Sequence, residues 1–87
     1  MADVLLTATA ARELAQLPIS IRTRIVTLFE RLTRWPVVSG AKPLRGRLRG
    51  HYRLRTGDYR VRFSVNGSRV LVDRVGHRDR FYEDQDG

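Results

Sequence analysis

The sequence predicts an α+β domain, ordered β-α-α-β-β-β, in which a helical hairpin packs on one face of a small antiparallel sheet. Three observations carry this reading. Apolar residues between Ile21 and Trp35 recur at helical spacing, and residues from Tyr52 to Val72 alternate with period two. Gly57-Asp58 and Asn66-Gly67 interrupt that alternation as two-residue hairpin loops, because glycine supplies the positive φ such loops need. The 87 residues make one domain, near the small end of what buries a self-sufficient core.

Asp3 to Thr7, centred on Val4-Leu5-Leu6, reads as a short edge strand. Thr7 or Thr9 then caps a helix over Ala8–Leu17, with Ala10, Leu14 and Leu17 on its apolar side, and Pro18 stops it. Ser20 is the expected cap of a longer helix whose stripe runs Ile21, Ile25, Leu28, Leu32 and Trp35, ended by Pro36. Arg22, Arg24, Arg31 and Arg34 occupy its wetter sides, and Trp35 is read as a core anchor. Lys42-Pro43 and the doubled Leu-Arg-Gly of residues 44–46 and 48–50 form a basic, glycine-punctuated lead-in to the sheet.

In the first hairpin, Tyr52, Leu54, Val61 and Phe63 share one face, and Arg53, Arg55, Arg60 and Arg62 share the other. A Gly57-Asp58 loop sets Arg55 directly opposite Arg60, and Arg53 opposite Arg62. Like charges across a ladder repel, so a sheet built this way is expected to hold an anion there. A loop at Asn66-Gly67 sets Phe63 opposite Val70, Val61 opposite Val72, and Arg60 opposite Asp73, which would neutralise and orient Arg60.

The formal net charge is +8, and Lys42 alone among the 17 basic residues is not arginine. Charge is unevenly placed: residues 42–80 carry +9, whereas residues 81–87, an acidic tail expected to be disordered from Glu83 on, carry −3. This balance points to nucleic acid or another polyanion. No cysteine is present, which excludes disulfides and thiolate chemistry, and the two histidines are too few for a metal site. No apolar run approaches the roughly 20 residues of a membrane span, and the N-terminus lacks a signal pattern, so the chain reads as cytoplasmic. Familiar catalytic motifs are absent. An arginine-rich inventory suits phosphoryl-type chemistry, in which guanidinium groups stabilise charge growing on a phosphodiester. On RNA the substrate's own 2′-hydroxyl can attack, so neither a metal nor any other cofactor is required.

The runs KPLRG (Lys42–Gly46), YRLR (Tyr52–Arg55), GDYRV (Gly57–Val61) and VGHRDRFY (Val75–Tyr82) resemble the RelE/ParE superfamily of bacterial toxins. That resemblance implies a RelE-like fold and the toxin of a type II toxin–antitoxin pair. In the RelE branch it further implies cleavage of mRNA in the ribosomal A site, leaving a 2′,3′-cyclic phosphate and a 5′-hydroxyl. Its implied partners are a cognate antitoxin, the ribosome and mRNA, with operator DNA met only through the antitoxin complex.

Carried over by motif, Arg53, Arg55 and Arg60 form the phosphate clamp, Arg78 serves the leaving 5′-oxygen, and Tyr82 is the base on the 2′-hydroxyl. Arginine stands where the family uses lysine, and arginine gives up a proton reluctantly, so His77 is a candidate for a share of the proton transfer. Lys42, Arg45, Arg47, Arg49, His51 and Arg62 are candidate RNA contacts. Bland alternatives stand beside these: solvated loop arginines, a structural His51, and a Tyr82 that packs over the sheet edge. Two other functions compete, a ParE-like inhibitor of DNA gyrase and a nucleic-acid-binding module without chemistry.

Overall fold

The Ile21-to-Trp35 stripe forms the centre of the helical layer, although its helix has different ends from those expected. In the computed structural model the chain runs β1 (Asp3–Leu6), α1 (Ala8–Ala15), α2 (Ile19–Leu32), β2 (Lys42–Pro43), β3 (His51–Thr56), β4 (Tyr59–Asn66) and β5 (Arg69–His77). Short 3-10 segments occupy Gly46–Leu48 and Arg78–Asp84. The structure describes residues 1–84, with side chains through Phe81. The Tyr82 side chain and those of the acidic tail over 83–87 therefore lie outside the described residues.

Thr7, not Thr9, caps α1: its hydroxyl accepts from the Ala10 N–H at 3.1 Å. The helix closes at Ala15, two residues short of expectation, because the residue before a proline avoids helical backbone. Pro18 itself then starts α2 in place of Ser20. At φ −54° and ψ 149° it sits in the extended geometry a cap position needs, and its carbonyl accepts from Arg22 N–H at 2.9 Å. Ile25, Leu28 and Leu32 are buried, while Ile21 and Trp35 are partly buried against them. Trp35 meets Tyr52 edge-on at 4.8 Å and Phe63 at 5.5 Å, and Tyr52 stacks on Phe63 at 5.5 Å. Each such aromatic pair adds about 0.5–1.5 kcal/mol beyond area burial, which fixes Trp35 as a core anchor.

The sheet order is β1-β5-β4-β3-β2. It is antiparallel except at one edge, where β1 lies parallel to β5 with Val4 opposite Val70. The β1 edge position follows expectation, and its direction follows from the path. Two helices carry the chain from β1 to β2 at the far edge, so the final strand returns beside β1. Leu54, Val61, Phe63, Val70, Val72 and Val75 face the helices and are buried.

The first hairpin has the expected register, with Arg53 opposite Arg62 and Arg55 opposite Arg60. The second does not. Asn66 pairs with Arg69, so Gly67-Ser68 is the loop and Gly67 (φ +61°) leads it. Phe63 consequently faces Val72, a slip that leaves Val70 and Val72 on the inner face. A bulge at Arg62/Phe63 then skips Asp73, so Arg62 faces Arg74, Val61 faces Val75 and Arg60 faces Gly76. The expected Arg60–Asp73 pairing is thus replaced. Val72 and Val75, three apart, can both point inward only if one residue is added between them.

β1 covers only the first half of β5, and Glu13 on α1 takes over where it ends. Its carboxylate accepts from the Val75 N–H at 2.9 Å and from Arg74 Nε at 3.1 Å. Glu13→Ala is expected to lower unfolding free energy in urea by about 1–3 kcal/mol, and Glu13→Gln, which keeps a neutral acceptor, by about half as much.

Candidate functional site

The outer face of the sheet divides into a neutralised end and a charged end. At the first, the Asp73 carboxylate receives the Arg62 fork, from Nε at 2.9 Å and Nη2 at 3.1 Å, and lies 3.4 Å from His51 Nε2. Only 14% of the Arg62 side chain is exposed. His51 Nδ1 is buried without a hydrogen-bond partner among the described residues. Arg62 and His51 therefore converge on Asp73 and stand apart from the clefts described next; for both, a scaffold role fits this placement better than the expected RNA contact.

At the charged end, Arg53, Arg60, Arg78, Asp79 and Phe81 line a cleft of about 220 Å³. A second cleft of about 320 Å³ adjoins it, lined by Gly40, Lys42, Arg53, Arg55 and Arg60. The two share Arg53 and Arg60. β2 contributes by pairing Lys42 opposite Arg53, which extends the row of cations across three strands. Among the described residues neither Arg55 nor Arg60 makes an ion pair. Burial lowers the Arg60 pKa from its ordinary value, and the cations of Arg53, Arg55 and Arg78 lower it further, with Asp58 alone opposing them. An anion entering the cleft relieves that repulsion.

The C-terminal 3-10 segment forms the remaining wall. Arg78 is placed by its backbone N–H, which donates to the Asp58 carbonyl in the β3–β4 turn at 2.7 Å. Phe81 is 1% exposed and folds over the outer face, where a Cβ on Gly76 would stand 3.5 Å from its ring. Arg74 lies over the same ring at 5.0 Å and donates to the Arg80 carbonyl at 3.3 Å. Sequence reasoning missed Phe81, Gly76 and Gly40 as parts of the site. A glycine inside an otherwise valine-rich strand was the available signal, since it marks close approach from another segment.

His77 departs from expectation. Strand alternation sets it opposite Tyr59, whose ring it meets edge-on at 5.3 Å. Its Nδ1 accepts from the Asp79 N–H at 3.2 Å. It lines a different cavity, with Glu13, Gln16, Leu17 and Arg80, and lines neither arginine cleft. Arg45, Arg47 and Arg49 are exposed on the loop before β3 and also line neither cleft. Within that loop Leu44 is buried, while Gly46 and Gly50 take positive φ of 64° and 93°. The doubled Leu-Arg-Gly is thus a folding device as well as a basic one.

Guanidinium groups converging from β3, β4 and the C-terminal segment can grip a phosphodiester and stabilise extra negative charge on it. Inorganic pyrophosphate is expected to raise the melting temperature, adding about 2.7 kcal/mol at a hundredfold excess over its Kd. Arg60→Ala should remove most of that gain and leave the ligand-free melting temperature close to wild type, as read by calorimetry.

Comparison with known proteins agrees with this architecture. Residues 4–82 match the family model described as ParE toxin of type II toxin-antitoxin system, parDE. The chain is 31% identical over 83 residues to Toxin RelE3 of Methanocaldococcus jannaschii, covering 92% of this chain and 94% of that protein. It is 38% identical over 79 residues to Toxin RelG of Mycobacterium tuberculosis, covering 87% of this chain and 90% of the relative. Among solved structures it is similar to the toxin–antitoxin complex RelBE2 from Mycobacterium tuberculosis, with a TM-score of 0.79 and 36% identity over 88% of this chain and 91% of that one. With a family match spanning nearly the whole chain and such relatives along its length, this protein belongs to the RelE/ParE superfamily of type II toxin–antitoxin toxins.

Proposed function

We propose that this toxin is a ribosome-dependent endoribonuclease that cleaves mRNA in the A site without a metal or other cofactor. The observation that carries the reading is the convergence of Arg53, Arg60 and Arg78 on one cleft. Attack of a 2′-hydroxyl on the adjacent phosphorus forms the cyclic phosphate and expels the 5′-oxygen, which takes up a proton as the 2′-oxygen gives one up. Negative charge grows on the non-bridging oxygens in between. Arg53, Arg55 and Arg60 hold those oxygens, and Arg78, on the opposite wall, stabilises the departing 5′-oxygen. Tyr82, four residues beyond Arg78 in the sequence, is the candidate base that the family resemblance implies, since nearby cations favour a tyrosine's phenolate. This reading gives His77, whose ring meets Tyr59 edge-on, no part in the proton transfer.

The partners in this reading are mRNA within the ribosome and, as in the RelBE2 complex of Mycobacterium tuberculosis, a cognate antitoxin. Acidic or helical antitoxin segments fit a surface whose second half carries such positive charge, and operator DNA is met through that complex. The site of action is the cytoplasm. A second reading, inhibition of DNA gyrase, is favoured by the ParE description of the matching family.

Primer extension on translated mRNA decides between the two. Codon-positioned cuts are expected with wild type, and Arg60→Ala or Arg78→Ala should slow cutting by about a hundredfold or more, the scale of losing one charge-stabilising donor. Intact mRNA together with trapped gyrase–DNA cleavage complexes would establish the second reading.

A further inference from the structure

Arg24 brings the helical layer to the β3–β4 turn. Arg24 on α2 donates from Nε and Nη2 to the Thr56 hydroxyl, at 3.3 and 3.2 Å. Its guanidinium lies so close to Gly57 that any Cβ there would overlap it. Gly57 takes φ +59°, so glycine serves both the turn and this approach. On its other side the turn is tied to the cleft, because the Asp58 carbonyl accepts the Arg78 N–H at 2.7 Å. The Thr56–Tyr59 rung closes the ladder, and the Arg55–Arg60 rung follows immediately.

This end of the hairpin needs a fastening. Its last charged rung places two cations opposite each other, and repulsion there would splay the ladder where only a two-residue loop holds it. Arg24 adds no countercharge. It bonds a neutral hydroxyl, so its effect on the turn is geometric. We propose that Arg24 is a positioning residue: by fixing Thr56 and Gly57 it holds the Asp58 carbonyl, and through it the Arg78 backbone, so that Arg53, Arg60 and Arg78 meet at one phosphate. The catalytic part of this inference rests on the cleft being the cutting site; the geometric part does not.

Two readouts test it. Amide hydrogen exchange at Arg78 reports the geometry, with Val61 and Phe63 amides reporting global opening. Arg24→Met and Thr56→Val are each expected to speed Arg78 exchange about tenfold and leave the β4 amides unchanged. Cutting of translated mRNA should slow by about tenfold in kcat with KM unchanged, because a small misplacement of reacting groups costs rate before affinity. The double variant should be no slower than either single one, and Thr56→Ser, which keeps the hydroxyl, should behave as wild type. Unaltered Arg78 exchange in Arg24→Met overturns the proposal. So does a raised KM at constant kcat, which would make Arg24 a surface charge that attracts RNA. Should wild type leave translated mRNA intact, the cutting assignment falls, and the Arg78 exchange result alone decides the positioning.

Discussion

Repulsion between guanidinium groups on neighbouring rungs of one hairpin is the constraint around which the sheet is arranged. Two like charges about 8 Å apart at an effective dielectric of about 20 repel by roughly 2 kcal/mol. The β3–β4 ladder contains two such rungs on one face, and β2 adds Lys42 beside them. Among the described residues, carboxylates answer one of these rungs. A bulge in β5 brings Asp73 under Arg62, where the carboxylate takes both arms of the guanidinium and also meets His51. The same added residue sets Gly76, which carries no side chain, opposite Arg60. One local irregularity therefore produces a neutral, packed end and a charged end left open to a ligand.

The bulge also explains what was legible in the sequence. The first turn was, because glycine at 57 leaves few alternatives between alternating strands, and at the second the glycine marked the turn but not its first residue. The faces of the sheet were equally clear, since period two survives a slip of the second hairpin by a whole repeat. What failed was the partner of Asp73. An Asn-Gly pair permits a loop that starts at either residue, and a start at Gly67 instead of Asn66 shifts every rung of the second hairpin. The spacing of Val72 and Val75 contained the correction, since a step of three between two inward positions breaks strand periodicity. The start of α2 differs from expectation for a related reason. Ser20 is a good cap by composition, yet Pro18 fixes the backbone two residues earlier, and backbone geometry decides the boundary.

Placement of the C-terminal segment was foreseen in outline but not in its means. The family resemblance set Arg78 at the same site as the hairpin arginines, and Arg78 does line that cleft. The means are apolar and backbone-mediated. Phe81 lies against Gly76, Arg74 covers the ring, and the Arg78 N–H is held by the turn between β3 and β4. Such contacts join residues far apart in sequence through small or main-chain groups, for which composition and periodicity give almost no signal. His77 illustrates the opposite case. Its neighbours in sequence suggested the cleft, whereas strand alternation alone sends it to the inner face beside Tyr59.

The choice of arginine over lysine fits the crowding at the open end. Burial and three neighbouring cations pull the Arg60 pKa down, but a guanidinium starts so far above neutrality that it stays charged. An ammonium group in the same surroundings starts about two units lower and sheds its proton far more readily. Guanidinium also offers several donors in a plane, so two arginines shared between adjoining clefts can grip oxygens in both directions. The cost of that choice is chemical. A group that holds its charge under such crowding is a weak proton donor, and the described residues of the first cleft include no histidine. The arginines thus suit the cleft to stabilising charge, and Asp79 is the one other ionisable group among its described lining residues.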